Sequence, residues 1–201
     1  TVRSGSSEPM NRTTGRSVPD EVVDAIHERA DGNPFFTTEL ARLYTSGVTG
    51  ADVPSGVRDV LRRRLSLLPQ ASADLLQVAA IIGRDIDLAL LVAASGRDFD
   101  QCLDDLEPAL LQRLLVPVPE SPGTYRFAHA LVREVLVSDV SPLKKARLHL
   151  RVADALDESD DTAEILAEHL WEAVPIGVGP RAARALERAG EVALRRFAYQ
   201  S

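Results

Sequence analysis

Cysteine is almost missing from this 201-residue chain. Cys102 stands alone, so no internal disulfide can form. In Cys102-Leu103-Asp104-Asp105-Leu106 it reads as a helix residue, with no histidine or basic cluster beside it to activate the thiol. Lysine is nearly as scarce, with only Lys144 and Lys145 against 21 arginines. A phosphate-cradling loop needs glycines that wrap phosphate with backbone N–H groups, a lysine for charge and a hydroxyl for magnesium. No Gly-x-x-x-x-Gly-Lys-Ser/Thr occurs, and no hydrophobic strand ending in paired carboxylates precedes Gly32-Asn33-Pro34. Both Walker elements are therefore missing, and nucleotide hydrolysis by this chain alone is not expected. His27, His129, His149 and His169 include no His-x-x-x-His pair and no cysteine at ligand spacing, which argues against a metal site. Gly-x-Ser-x-Gly is also absent, so no catalytic residue is assigned. Long apolar runs are lacking too. Ala79-Ala80-Ile81-Ile82 stops at Gly83-Arg84-Asp85, far short of the roughly twenty residues that cross a bilayer. The first residues carry no apolar signal core, so no membrane association is expected and a cytoplasmic location is the default.

What the chain does contain is acid, arginine, alanine and leucine. The net charge of −7 argues for a soluble protein and against a general nucleic-acid binder. The excess of arginine over lysine reads as genomic base-composition bias of a bacterial kind. The length allows a sizeable core in one or two small domains.

The most informative segment is Asp31-Gly32-Asn33-Pro34-Phe35-Phe36, set between two amphipathic stretches. Glycine can take the left-handed conformation that ends a helix, and proline fixes φ for the first turn of the next. Read alone, this is an ordinary corner between helices over 19–31 and 34–46. A third helix is expected from the Ser55 N-cap to residue 68, with Val57, Val60, Leu61, Leu65 and Leu68 inward and Arg58, Arg62, Arg63 and Arg64 on a solvated face. Beyond Pro69 the pattern predicts helices over 70–82, 87–94 and 99–115. A two-stranded hairpin follows over 116–127, turning at Glu120-Ser121-Pro122-Gly123. Three helices followed by a hairpin is the order of a winged helix. The rest reads as helical over 129–137, 142–156, 163–173 and 180–198, the last two as an antiparallel pair like the start of a tetratricopeptide array.

Just after the hairpin comes Arg126-Phe127-Ala128-His129-Ala130-Leu131-Val132-Arg133-Glu134. With the Gly-Asn-Pro turn upstream, in this order, residues 18 to 200 resemble the signal-transducing STAND subclass of AAA+ ATPases, especially large LuxR-type bacterial regulators. The resemblance implies a mainly α fold: lid helices over 18–68, a winged-helix domain with one β-hairpin over 69–140, and a helical, tetratricopeptide-like arm over 141–201. Residues 1–17, rich in Ser, Thr, Gly and Arg, are expected to be disordered or the severed end of a preceding core. It further implies that Gly32, Asn33 and Pro34 lie beside the adenine of ADP or ATP and that His129 senses phosphate. Arg126 and Arg133 are weaker candidates. Arg126 and Arg133 otherwise read as satisfied by local acids such as Glu134. For His129 the residues alone leave open a plain helix cap, its ring half buried behind Phe127, because a helix start serves both roles. One of the four helix arginines could reach phosphate, as lid arginines do in AAA+ relatives.

The function implied is that of the regulatory lid and winged helix of a STAND ATPase, probing bound ADP or ATP and controlling oligomerisation. The nucleotide belongs to the full-length parent, and this chain alone is not expected to hold it tightly. The implied partners are a P-loop core preceding this chain, further copies of the parent, and an inducer or protein on the C-terminal arm. The other class left open is a stand-alone helical interaction module that never touches nucleotide. Direct DNA binding is not expected. Residues 69–128 carry nine acidic side chains against four basic ones, and Asp100, Asp104, Asp105 and Glu107 lie on the would-be recognition helix.

Overall fold

The computed structural model describes residues 57–198, together with positions 34, 37, 38, 41 and 42. The chain divides into two compact units, Thr1–Leu67 and Leu68–Ser201. In the first, Pro34, Thr37, Thr38, Ala41 and Arg42 are helical. Pro34 is exposed, and its carbonyl accepts the Thr38 hydroxyl at 2.9 Å. Helix α1 (Val57–Ser66) buries Val60 and Leu61. The expected solvated face needs a correction, because Arg64 is only 4% exposed whereas Arg58, Arg62 and Arg63 are open to solvent. Arg64 falls four residues after Val60 and three after Leu61, on the inward stripe of a 3.6-residue period. Burial lowers its pKa to about 10.

The second unit is built on helix α2 (Gln70–Ile82), which is apolar over most of its circumference and buries Leu75, Leu76, Val78, Ala79, Ala80 and Ile81. A helix apolar on several sides belongs in a core rather than on a surface. It is surrounded accordingly by α3 (Leu88–Ser95), α4 (Phe99–Leu111), α5 (Ala130–Ser138) and α6 (Pro142–Ala155). The helix starts follow from local chemistry. The Asp87 and Asp98 carboxylates accept the Leu90 and Gln101 backbone N–H at 2.9 and 2.8 Å, and Ser141 caps α6 ahead of Pro142.

The single hairpin is the second correction. Strands β1 (Asp85–Asp87), β2 (Leu115–Pro117) and β3 (Thr124–Phe127) form an antiparallel sheet in the order β1-β3-β2, so the hairpin β2-β3 carries a third strand. Ile86, opposite Tyr125, is fully buried. Asp85-Ile86-Asp87 is too short for a period-2 pattern to show in the sequence.

The helix expected over 99–115 stops at Leu111 instead. Arg113 takes a left-handed φ of 53°, its N–H bonds to the Leu110 carbonyl, and the Leu114 N–H reaches back to Ala109. This is a Schellman ending with arginine where glycine is usual. It frees Leu115 to pair with Phe127, and both Leu114 and Leu115 are buried. Pairing and burial in the sheet outweigh continuation of the helix.

Helices α7 (Ala163–Glu172) and α8 (Gly179–Ala198) follow, joined through a 3-10 turn at Val174–Ile176. Ala153 of α6, Leu166, Ala167 and Leu170 of α7, and Ala182 and Ala185 of α8 form one buried cluster. Arg195 and Arg196 near the end of α8 pair with Asp160 and Asp161 just before α7, so the two helices run antiparallel. The protein is mainly helical with a small three-stranded antiparallel sheet. No helix among the described residues is long and apolar enough to cross a membrane.

Candidate functional site

Of the residues singled out in the sequence, Gly32 and Asn33 lie outside the described residues, and Pro34 belongs to the first unit. Arg126 and His129 fall together in the second, where β3 runs into α5. The register pairs Arg126 with Asp85 on β1 and Val116 on β2, which fixes the end of β3. The buried Phe127 anchors the turn from below, and the Ala128 N–H bonds to the Leu114 carbonyl at 3.0 Å. Position 129 is thereby placed at the helix start.

His129 occupies the N-cap position of α5 with extended backbone (φ −142°, ψ 139°), and its carbonyl accepts the Val132 N–H at 3.0 Å. Its side chain makes no capping hydrogen bond, and the residue is exposed rather than half buried behind Phe127. The plain-cap role is therefore not the one its ring performs. The first turn of α5 carries no acidic residue, so the positive end of the helix is not offset from within that turn.

On either side of His129 in sequence, Ala128 and Ala130 line a cleft of about 460 Å³ together with Arg84, Arg126, Phe127, Arg133 and Glu134. Three guanidinium groups thus border one opening against a single carboxylate of the lining. Each arginine is held differently. Arg126 Nε donates to Asp85 Oδ1 at 2.5 Å. That hydrogen bond keeps the Arg126 guanidinium charged beyond its usual range and holds the Asp85 carboxyl below the usual carboxylate range. Arg133 Nε donates to the Ala80 carbonyl at 2.8 Å, fixing the base of its guanidinium on the end of α2. Arg84, exposed on the link from α2 to β1, has no hydrogen-bond or ion-pair partner among the described residues. Its charge acts on the neighbouring Asp85 carboxyl, which it helps to hold below the usual carboxylate range.

The lining sets three arginines and one glutamate among apolar side chains, an arrangement able to accept an anion. Phosphate suits it, because guanidinium forks and a helix start both present N–H donors to oxygen. Arg84 was not singled out from the sequence. The only available signal was its place in Gly83-Arg84-Asp85, where a helix ends and an arginine meets an acid. Arg64 is buried on α1 and belongs to the first unit. Cys102 is buried, and that burial raises its thiol pKa. Among the described residues no group of three or more histidine, cysteine, aspartate or glutamate side chains is arranged to hold a metal ion. No protein-family model matches this sequence, and no curated protein matches it significantly.

Proposed function

We propose that this chain is the regulatory lid and winged-helix portion of a signal-transducing STAND ATPase of the LuxR-regulator kind, and that the cleft at the start of α5 receives the phosphates of ADP. The observation that carries the reading is the convergence of Arg84, Arg126 and Arg133 on the exposed start of α5, beside His129. In this reading His129 and the arginines meet the phosphates, Pro34 meets the base, and the P-loop core of the parent supplies the remaining contacts. Exchange of ADP for ATP would remove the contacts that hold the arrangement closed and permit oligomerisation. A difference of a few kcal/mol between the two arrangements suffices for such a switch.

Two further features support the reading. The order α2-β1-α3-α4-β2-β3 contains the three helices and hairpin of a winged helix, with β1 added to its edge. Helix α8 keeps a second apolar stripe, with Leu186, Leu194 and Phe197 exposed, as expected of a helix that stacks in a repeat array. That stripe also favours the second reading, a stand-alone interaction module, which differs in predicting no affinity for phosphate.

Titration of the chain with pyrophosphate by calorimetry at low salt separates the two. Binding is expected, weakened roughly tenfold or more in Arg84→Ala and in His129→Ala, since a charge-assisted hydrogen bond contributes on the order of 1.5–3 kcal/mol. No phosphate should be released from ATP. Heatless titration, or equal affinity in all three proteins, would remove the cleft from the nucleotide reading, and release of phosphate would overturn the expectation that the chain only binds.

A further inference from the structure

His149 and His169 lie twenty residues apart on separate helices, α6 and α7. The fold brings them into contact. His149 Nδ1 and His169 Nδ1 are 2.9 Å apart, the ring centroids are 5.0 Å apart, and both residues are buried, at 7% and 4% exposure. Two facing nitrogens at that distance must share one proton, one donating and the other accepting.

The direction follows from the other ring nitrogens. His149 Nε2 is buried with no hydrogen-bond partner, whereas His169 Nε2 is not among the buried atoms left without one. A buried N–H without an acceptor is rarer and costlier than a buried lone pair without a donor. The proton of neutral His149 therefore sits on Nδ1 and is donated to His169, which carries its own proton on Nε2.

The pair also lies on a seam. Helix α8 packs on α7 and on the 3-10 turn between them, and α7 packs on α6. Among the described residues, the charges acting on the rings are Lys145 on α6, Glu168 and Glu172 on α7, and Arg133 on α5. Glu172 would favour a charged ring, but Lys145 Nζ holds its carboxylate at 2.8 Å. Arg133 opposes a charge on either ring.

We propose that His149 and His169 form a one-proton latch between α6 and α7, closed while the pair is neutral and weakened by a further proton, which loosens the packing of the α7–α8 hairpin on α6. A proton from solvent on His169 Nδ1 takes the lone pair that accepts the bond and sets two N–H groups against each other. On His149 Nε2 it creates a buried cation whose N–H has no acceptor. The first breaks the contact outright; the second leaves the Nδ1–H donor in place but buries a cation with an unsatisfied N–H, so either way the stability of the neutral pair is lost. Burial, with the neighbouring ring adding to it, pushes the His149 pKa from 6.5 to about 4, and burial likewise lowers that of His169. Both folded values lie below the unfolded ones. The latch is therefore fully effective above pH 6.5, and its contribution falls as the pH drops from there toward about 4.

The full chain tests this in two ways. Long-range ring-nitrogen NMR at pH 7.5 should find His149 protonated on Nδ1 and bare on Nε2, and His169 the reverse. Urea midpoints from pH 7.5 to 4.5 should fall more steeply in the unaltered protein than in the double variant His149→Leu/His169→Leu, which replaces the pair by apolar side chains. A proton on His149 Nε2 at pH 7.5, or parallel pH profiles for the two proteins, would overturn the proposal. Should the double variant fail to fold, the ring-nitrogen spectrum of the unaltered protein decides alone.

Discussion

Leu170→Ala probes what holds the C-terminal hairpin in place, and its cost can be worked out from the packing. Leu170 is 1% exposed and shares its cluster with Leu166 and with Ala153, Ala167, Ala182 and Ala185. Four of these six residues are alanines, which have no rotamer to swing into a hole. Relaxation around a shortened side chain is therefore limited to Leu166 and to the partly buried Leu150 and Leu156 packed against the cluster. Leucine-to-alanine changes in cores cost roughly 2–5 kcal/mol, with the higher values where the site cannot collapse, so about 3–5 kcal/mol is expected here. With a urea dependence of roughly 2 kcal/mol per molar, the unfolding midpoint should fall by about 1.5–2.5 M. Urea unfolding followed by circular dichroism measures this directly. The control is Leu194→Ala on α8, a side chain 72% exposed, for which surface substitutions predict a change within about 0.5 kcal/mol. A Leu170→Ala protein within about 1 kcal/mol of the unaltered chain, or no different from Leu194→Ala, would refute the account of an alanine-lined core that cannot close over a cavity.

Arg113→Gly should stabilise the protein by roughly 0.5–1 kcal/mol, because the left-handed conformation at φ 53° costs a side-chain-bearing residue about 1–2 kcal/mol, part of which glycine gives back as unfolded-chain entropy. A lower thermal midpoint in the variant would contradict the assignment of strain to that turn. Double-stranded DNA should not bind at physiological salt, because Asp100, Asp104 and Glu107 lie exposed on α4, where their charge repels phosphate. A sequence-specific gel shift abolished by substitutions in α4 would reverse that conclusion.

Much of the second unit was legible from residue pattern. The bounds of α2 matched those expected, and the helices expected from 87, 99 and 142 start within a residue of those positions, because periodicity and helix-start chemistry act within a few residues of the chain. Where the reading failed, a distant partner prevailed over local preference. Asp85-Ile86-Asp87 is extended only because β3 lies beside it, and Leu115 leaves its helix only because Phe127 is there to pair with it. Within α1, the helical period itself places Arg64 inward, four residues after Val60 and three after Leu61.

For the candidate site, the sequence by itself determined that a helix begins after His129, that Arg126 stands toward the end of a strand, and that no Gly-x-x-x-x-Gly-Lys-Ser/Thr motif occurs. The tertiary structure decided which side chains join them. Arg84 reaches the cleft because β1 pairs with β3 across 41 residues of sequence, the separation of Asp85 and Arg126. His149 meets His169 because α6 and α7 pack face to face. Caps, turns and helical periods are short-range and are written along the chain. A contact between residues tens of positions apart depends on which faces the core brings together, and that depends on the packing of every element at once.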